Sequence, residues 1–358
     1  DVRIETKDDG NGGVCAELTS SESETWLQLV TPLESTTEIG IVFCIEAKAL
    51  LQALRNLGGL PVTMELDDTR HVAVCKYSNG HFQLPYEDAI EFPLPTSVDD
   101  SDAIEKDIDA QKLLVAIEKS GFATANDELR PVMNGVHFDY FFDGMVAVAS
   151  DGHKLAKYKD LTVTYAQKDD EPIPVAHGYT LPKKPCNILL NVLASTIAGD
   201  VRVYFNERIV IFSNQMFKLT SRLVEGRYPN YDSVIPKDNN IEINIDKASF
   251  IAALKRVLPM GNTSSELVSL AFSVGTMVIS TEDIEFSKSA SETVLCDFSS
   301  SPLSIGFKGS ILLQLLQNIE TNVVKLSLKD PSRAGVLSED KPNDTYEYIS
   351  LIMPMLIN

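Results

Sequence analysis

The feature that most restricts the fold is a repeat of domain length. Ile243-Asn244-Ile245-Asp246 stands ahead of the apolar helix positions Phe250, Ile251, Leu254 and Leu258. It matches Lys106-Asp107-Ile108-Asp109, which stands ahead of Leu113, Leu114 and Ile117. A second set of matches joins Ser304-Ile305-Gly306-Phe307-Lys308 to Tyr179-Thr180-Leu181-Pro182-Lys183 and to Phe43-Cys44-Ile45-Glu46-Ala47. Each precedes a leucine-rich helix and then a strand, at 62–66, 201–205 or 323–328. Matching positions lie about 125 to 137 residues apart, so the chain holds duplicated domains and not a solenoid of short repeats. A length of 358 residues also exceeds one ordinary core. The expected fold is α+β, in three similar domains at 1–103, 104–237 and 238–358. Phe92-Pro93-Leu94-Pro95 and an acidic linker at 99–107 mark the first boundary.

Local signals fill in each domain. Residues 1–30 read as two strands around the turn Asp8-Asp9-Gly10-Asn11-Gly12-Gly13. A strand at 41–45 leads into a helix at 46–57, with Leu50, Leu51, Leu54 and Leu57 on one face and Gly58-Gly59 at its end. Strands follow at 61–66, 71–76 and 81–84, the last two joined by Asn79-Gly80. Asp109 is the expected N-cap of the next helix. After it come strands at 135–141 and 145–150, a polar connection at 165–178, a helix from Pro182, and strands at 201–205, 208–213 and 217–224. The second and third domains each open with a strand and helix of about 28 residues that the first does not show, so a strand and helix ahead of Asp1 are expected; the alternative is a smaller first domain with its sheet exposed.

Composition excludes some function classes. No apolar run reaches the roughly 18 to 20 residues of a membrane span, and nothing resembles a signal peptide, so a cytoplasmic protein with no membrane partner is expected. Cys15, Cys44, Cys75, Cys186 and Cys296 show no CxxC or Cys/His spacing. They read as buried hydrophobes, with no metal and no cofactor implied. A net charge of −20 opposes nucleic acid unless the basic residues are segregated. The five helical stretches carry Lys48, Arg55, Lys112, Lys119, Lys183, Lys184, Lys247, Lys255, Arg256 and Lys308, against chiefly Glu46, Asp109, Glu118 and Asp246. Helices gathered on one side would make that side positive; the alternative is ordinary solvated helix faces. Ser150, Asp151 and His153 admit a second reading, a hydrolase with a catalytic triad. Neighbours on a strand point to opposite faces, which weighs against it.

Four stretches carry a family resemblance. Leu129-Arg130-Pro131-Val132-Met133-Asn134-Gly135-Val136, Ser150-Asp151-Gly152-His153-Lys154-Leu155-Ala156, Leu223-Val224-Glu225-Gly226-Arg227-Tyr228-Pro229-Asn230-Tyr231 and Met353-Pro354-Met355 together resemble the bacterial sliding clamp, the beta subunit of DNA polymerase III. The resemblance implies a DNA-clamp fold with antiparallel sheets outside and helices inside, closed as a head-to-tail ring homodimer. It implies a noncatalytic accessory subunit that encircles double-stranded DNA without sequence specificity and tethers the replicative polymerase, the clamp loader and other proteins carrying the clamp-binding motif. A clamp paralogue not used in replication is the neighbouring reading.

By matching position, Lys48, Arg130, Lys183 and Lys184 fall where the family contacts DNA. The family's cleft for glutamine-plus-hydrophobic peptides maps to Met133, Ser150, Gly152, His153, Lys154, Leu155, Pro229, Val234, Leu351, Met353, Pro354 and Met355. The ring seam maps to Phe82 and Leu84 against Pro259 and Met260. Lys154 stands where the family usually has arginine, Ser233 where a basic residue is common, and Leu356-Ile357-Asn358 replaces an Arg-Leu ending.

Overall fold

A strand, a helix and three antiparallel strands form a module that the chain uses repeatedly. The computed structural model describes residues 1–34, 37–95, 103–164, 177–195 and 199–357. First come β1 (Val2–Asp8), β2 (Val14–Glu22) and β3 (Thr25–Leu33), with no helix. The next module is β4 (Val42–Ile45), α1 (Ala47–Arg55), β5 (Thr63–Asp67), β6 (Val72–Tyr77) and β7 (Gly80–Glu87). It is followed by β8 (Ile104–Asp109), α2 (Ala110–Gly121), β9 (Gly135–Phe141), β10 (Gly144–Ser150) and β11 (Lys154–Asp160). Then come β12 (His177–Pro182), α3 (Lys183–Ser195), β13 (Asp200–Phe205), β14 (Ile209–Ser213) and β15 (Phe217–Arg222). The last two modules are β16 (Ile241–Asp246), α4 (Lys247–Val257), β17 (Leu267–Ser273), β18 (Thr276–Asp283) and β19 (Lys288–Leu295), then β20 (Leu303–Lys308), α5 (Gly309–Gln317), β21 (Val323–Leu328), β22 (Gly335–Glu339) and β23 (Tyr346–Ile352).

Two compact units result, Asp1–Ala110 with Asn191–Leu223, and Gln111–Leu190 with Val224–Asn358. The first holds one sheet in the order β5-β6-β7-β4-β1-β2-β3-β15-β14-β13-β8. The second holds two, β12-β9-β10-β11-β23-β22-β21-β16 and β19-β18-β17-β20. Alternation explains the strands: Val201, Val203 and Phe205 are buried and Arg202 is exposed, as the two-residue side-chain period requires. Asp246 caps α4, its carboxylate accepting from the Ser249 backbone N–H at 2.8 Å.

Several expectations change. Residues 1–30 hold three strands and not two, because the chain reverses at Ser23 with φ of 51°, a turn without the glycine or asparagine that announces one. Residues 104–107 of the expected acidic linker belong to β8. There Arg202 on β13 meets Glu105 at 2.9 Å and Asp107 at 3.3 Å, so the acids serve a strand pair. The last of the expected strands at 217–224 stops at Arg222. On α1 only Leu50 is buried, while Leu51 is 49% and Leu54 36% exposed. α4 and α5 pack against each other, whereas α1 has no such helix beside it among the described residues of its unit. Most of the connection expected at 165–178 lies outside the described residues.

Cys15, Cys44, Cys75 and Cys186 are buried thiols, and burial pushes Cys186 up to about 12. No helix among the described residues is long and apolar enough to cross a membrane.

Candidate functional site

The tight turn between β10 and β11 is built from its own side chains. Ser150 Oγ donates to the Lys154 carbonyl at 2.8 Å and accepts from the Gly152 N–H at 3.2 Å. Asp151 Oδ1 accepts from the backbone N–H groups of His153 and Lys154, both at 2.8 Å, and Oδ2 takes the Lys154 ammonium at 2.6 Å. Gly152 supplies the φ of 89° that the reversal needs. Burial pushes the Asp151 carboxyl up, but the Lys154 ammonium and the two N–H groups outweigh it and hold its pKa below the ordinary range. With Ser150 and Asp151 so engaged, neither is partnered by the His153 ring, and the three residues do not form the relay a hydrolase needs.

Pairing of β11 with β23 then sets Leu155 opposite Leu351 and Lys154 opposite Ile352. Leu155 and Leu351 are buried in a cluster with Val146, Val148, Tyr228, Tyr231 and Ala334. Both are therefore core side chains, which serve the expected cleft only as a floor. Above them the tail is fixed at two points: the Met353 N–H donates to the His153 carbonyl at 2.8 Å and the Met355 N–H to the Gly306 carbonyl at 2.7 Å. Met353 is 43% and Val234 56% exposed, and Pro229 and His153 are exposed as well. Met133, at the end of a short 3-10 turn behind Arg130, is buried. All twelve expected cleft residues lie in one unit: Leu155, Leu351, Met133 and Lys154 are buried, Ser150, Pro354 and Met355 are half-buried, and Gly152, His153, Pro229, Val234 and Met353 are exposed. Lys154 is the exception in character: it is 9% exposed and spent on Asp151, so it holds the turn together and does not present a charge.

The basic residues are distributed unevenly. Lys48, Lys183 and Lys184 are exposed, and Lys48 and Lys183 make no ion pair among the described residues. Arg130 donates to Asp127 at 2.8 Å, and its Nη1 lies 3.4 Å from where a Cβ on Gly152 would stand, which sets it beside the cleft turn. Other helix cations are consumed internally: Lys119 by the Asn318 carbonyl and Glu320, Lys247 by the carbonyls of Ile319 and Glu320, Arg256 by Glu292, and Lys308 by Glu266. Phe82 and Leu84 on β7 are half-buried against their own core, while Pro259 and Met260 are exposed.

Sequence reasoning missed the support under the rim. Tyr231 Oη donates to Asp139 Oδ2 at 2.8 Å, Asp139 Oδ1 lies 3.2 Å from His137 Nε2, and the Tyr228 ring stacks on His137 at 4.5 Å. The available signal was a pair of polar residues, 137 and 139, alternating with buried Val136, Phe138 and Tyr140.

Comparison with known proteins places the fold. The DNA polymerase sliding clamp of Pseudomonas aeruginosa has the same fold, with a TM-score of 0.88 at 23% identity over 99% of this chain and 92% of that one. So does the DNA polymerase III beta subunit of Thermotoga maritima, with a TM-score of 0.86 at 21% identity over 100% and 91%. The fold is that of the sliding clamps. The Beta sliding clamp of Pseudomonas putida is 26% identical over 339 residues, 94% of this chain and 88% of that protein. The family models for the central and C-terminal domains of the DNA polymerase III beta subunit match residues 107–230 and 232–356. The chain belongs to the DNA polymerase III beta subunit family.

Proposed function

We propose that two copies of this chain close head to tail into a ring around duplex DNA and tether partner proteins through the cleft at Leu155 and Leu351. The observation that carries this reading concerns the last strand of each module. β3 pairs antiparallel with β15, and β11 pairs antiparallel with β23. β7 and β19 remain: residues 80–85 of β7 pair only with β6, and β19 pairs with β18 alone among the described strands. An exposed strand edge invites another strand, and the β7 of one copy suits the β19 of another. Phe82, Leu84, Pro259 and Met260 flank that seam, and 1–103, 104–237 and 238–358 are its repeating domains.

Lys48, Arg130, Lys183 and Lys184 then serve phosphates. Contacts of that kind carry no base information, which suits a protein that must slide. The net charge of −20 discourages DNA elsewhere on the surface. The role is noncatalytic: an accessory subunit that keeps the replicative polymerase on its template, loaded by a clamp loader in the cytoplasm. Retention on nicked circular DNA after loading, and loss once that circle is linearised, tests the reading; equal retention on both forms refutes it. In solution the mass should be near twice 39.4 kDa.

A further inference from the structure

Two cleft residues, Pro229 and Val234, ride on a segment with little regular structure, a single 3-10 turn at Tyr231–Ser233. Such a segment needs outside anchors to keep its shape, and two of them lie on β9. His137 and Asp139 are two residues apart on that strand and so share a face. Tyr228, immediately before Pro229, stacks on the His137 ring with centroids 4.5 Å apart and planes 7° from parallel. Tyr231, three residues before Val234, donates its hydroxyl to Asp139 Oδ2 at 2.8 Å. The anchors are themselves tied. His137 Nε2 lies 3.2 Å from Asp139 Oδ1, and His137 Nδ1 lies 2.9 Å from Thr180 Oγ1 on β12. On the other side, Lys157 Nζ sits 5.2 Å from the Tyr231 ring centre and 2.6 Å from Asp232.

Room has been made for this arrangement. Asp139 is only 9% exposed, and the residue opposite it on β12 is Gly178, where any Cβ would collide with Asp139 Oδ1. A buried carboxylate left short of donors is costly, so Asp139 holds the Tyr231 hydroxyl in one direction. Burial raises its carboxyl, yet the His137 and Tyr231 contacts and the Lys157 charge bring it below the ordinary range, so it accepts as a carboxylate at neutral pH. Both tyrosine rings belong to the cluster that includes Leu155 and Leu351, so the same rings join the floor to the rim.

We propose that His137 and Asp139 are positioning residues of the cleft: they touch no partner, but through Tyr228 and Tyr231 they set the wall formed by Pro229 and Val234 and so the residence time of a bound peptide. This rests on the reading of the cleft as the partner site.

The test uses the full chain and a fluorescent pentapeptide that begins with glutamine and carries leucine and phenylalanine. Tyr231→Phe removes one hydroxyl and keeps the ring, and should weaken binding about tenfold through faster dissociation. Asp139→Ala should weaken it similarly, and the double variant should be no worse than either single one, the mark of a shared interaction. A merely structural role would lower the melting temperature and leave the affinity of the folded fraction unchanged. If Asp139→Ala does not fold, Tyr231→Phe decides alone: wild-type affinity and dissociation rate overturn the proposal. Deletion of 353–358 in parallel separates the two readings. If that deletion leaves peptide binding intact, the cleft assignment itself is wrong; if it abolishes binding while Tyr231→Phe does not weaken it, only the positioning role fails.

Discussion

The backbone N–H of Met353 donates to the carbonyl of His153 across 2.8 Å, joining the chain's tail to a turn 200 positions earlier. Two positions on, the Met355 N–H donates to the Gly306 carbonyl, where the Met355 oxygen comes so close that Gly306 has no room for a Cβ. The tail is therefore held at two points, and in the proposed cleft it is a wall. Its position depends on the turn between β10 and β11 and on β20 at once.

Deletion of 353–358 removes that wall and both of these hydrogen bonds while leaving the β11 and β23 pairing through Ile352 in place. Peptide binding should be lost in fluorescence anisotropy. The molecular mass by light scattering should stay that of the intact assembly, because neither β7 nor β19 is touched. A truncated protein that still binds the pentapeptide at wild-type strength would contradict the wall assignment.

Asp151→Asn probes the turn. Lys154 keeps its burial and loses its countercharge, so the substitution should cost about 3 kcal/mol in urea unfolding. The pH dependence follows from the direction of the shift. The folded-state pKa of Asp151 lies below its unfolded value of about 3.9, so its contribution is complete above that value and disappears as pH falls through the folded pKa. Below pH ~4 the variant should therefore lose less stability than the wild type, its acid slope shallower by up to about 1.4 kcal/mol per pH unit. Parallel acid limbs would show that Asp151 titrates normally in the folded protein.

Much of this architecture could be read from residues alone, and the failures have physical causes. The match of 106–109 to 243–246 marks where a strand passes into a helix, a junction that local patterning specifies strongly, and both helices begin there. Ser23 was unreadable because a serine at positive φ leaves no turn signature. Leu51 and Leu54 looked like core because periodicity reports an apolar face without saying what covers it. The cleft positions came from motif resemblance. The support beneath them did not, since Asp139 and Tyr231 are 92 residues apart and meet only through the tertiary fold. Lys119 is one of the helix cations, yet it is buried against the Asn318 carbonyl at 2.6 Å, a contact invisible to charge counting.

Lys48 and Lys183 are exposed and without ion pairs among the described residues, which makes them the clearer tests of phosphate contact. Lys48→Ala with Lys183→Ala should weaken DNA binding equally on all sequences. Each lost phosphate contact should reduce the slope of log K against log salt by about 0.9. A salt slope identical to wild type would remove both residues from the DNA surface.

Leu295 ends β19 with 77% of its surface exposed, on a strand that pairs with β18 alone among the described strands. In the proposed ring, this strand edge receives β7 of a second copy, so the exposed side chain becomes part of a seam. Leu295→Asp removes almost no packing within the chain, and the melting temperature at low protein concentration, where copies are apart, should move little. Across the seam the substitution places a charge where apolar area is buried, at a cost of about 2 kcal/mol or more per copy. The dimer should dissociate more readily by that term alone: the wild-type mass near twice 39.4 kDa should fall towards a single chain at micromolar concentration in the variant. Persistence of the dimer at nanomolar concentration would move the seam away from β19, and with it the assignment of Pro259 and Met260.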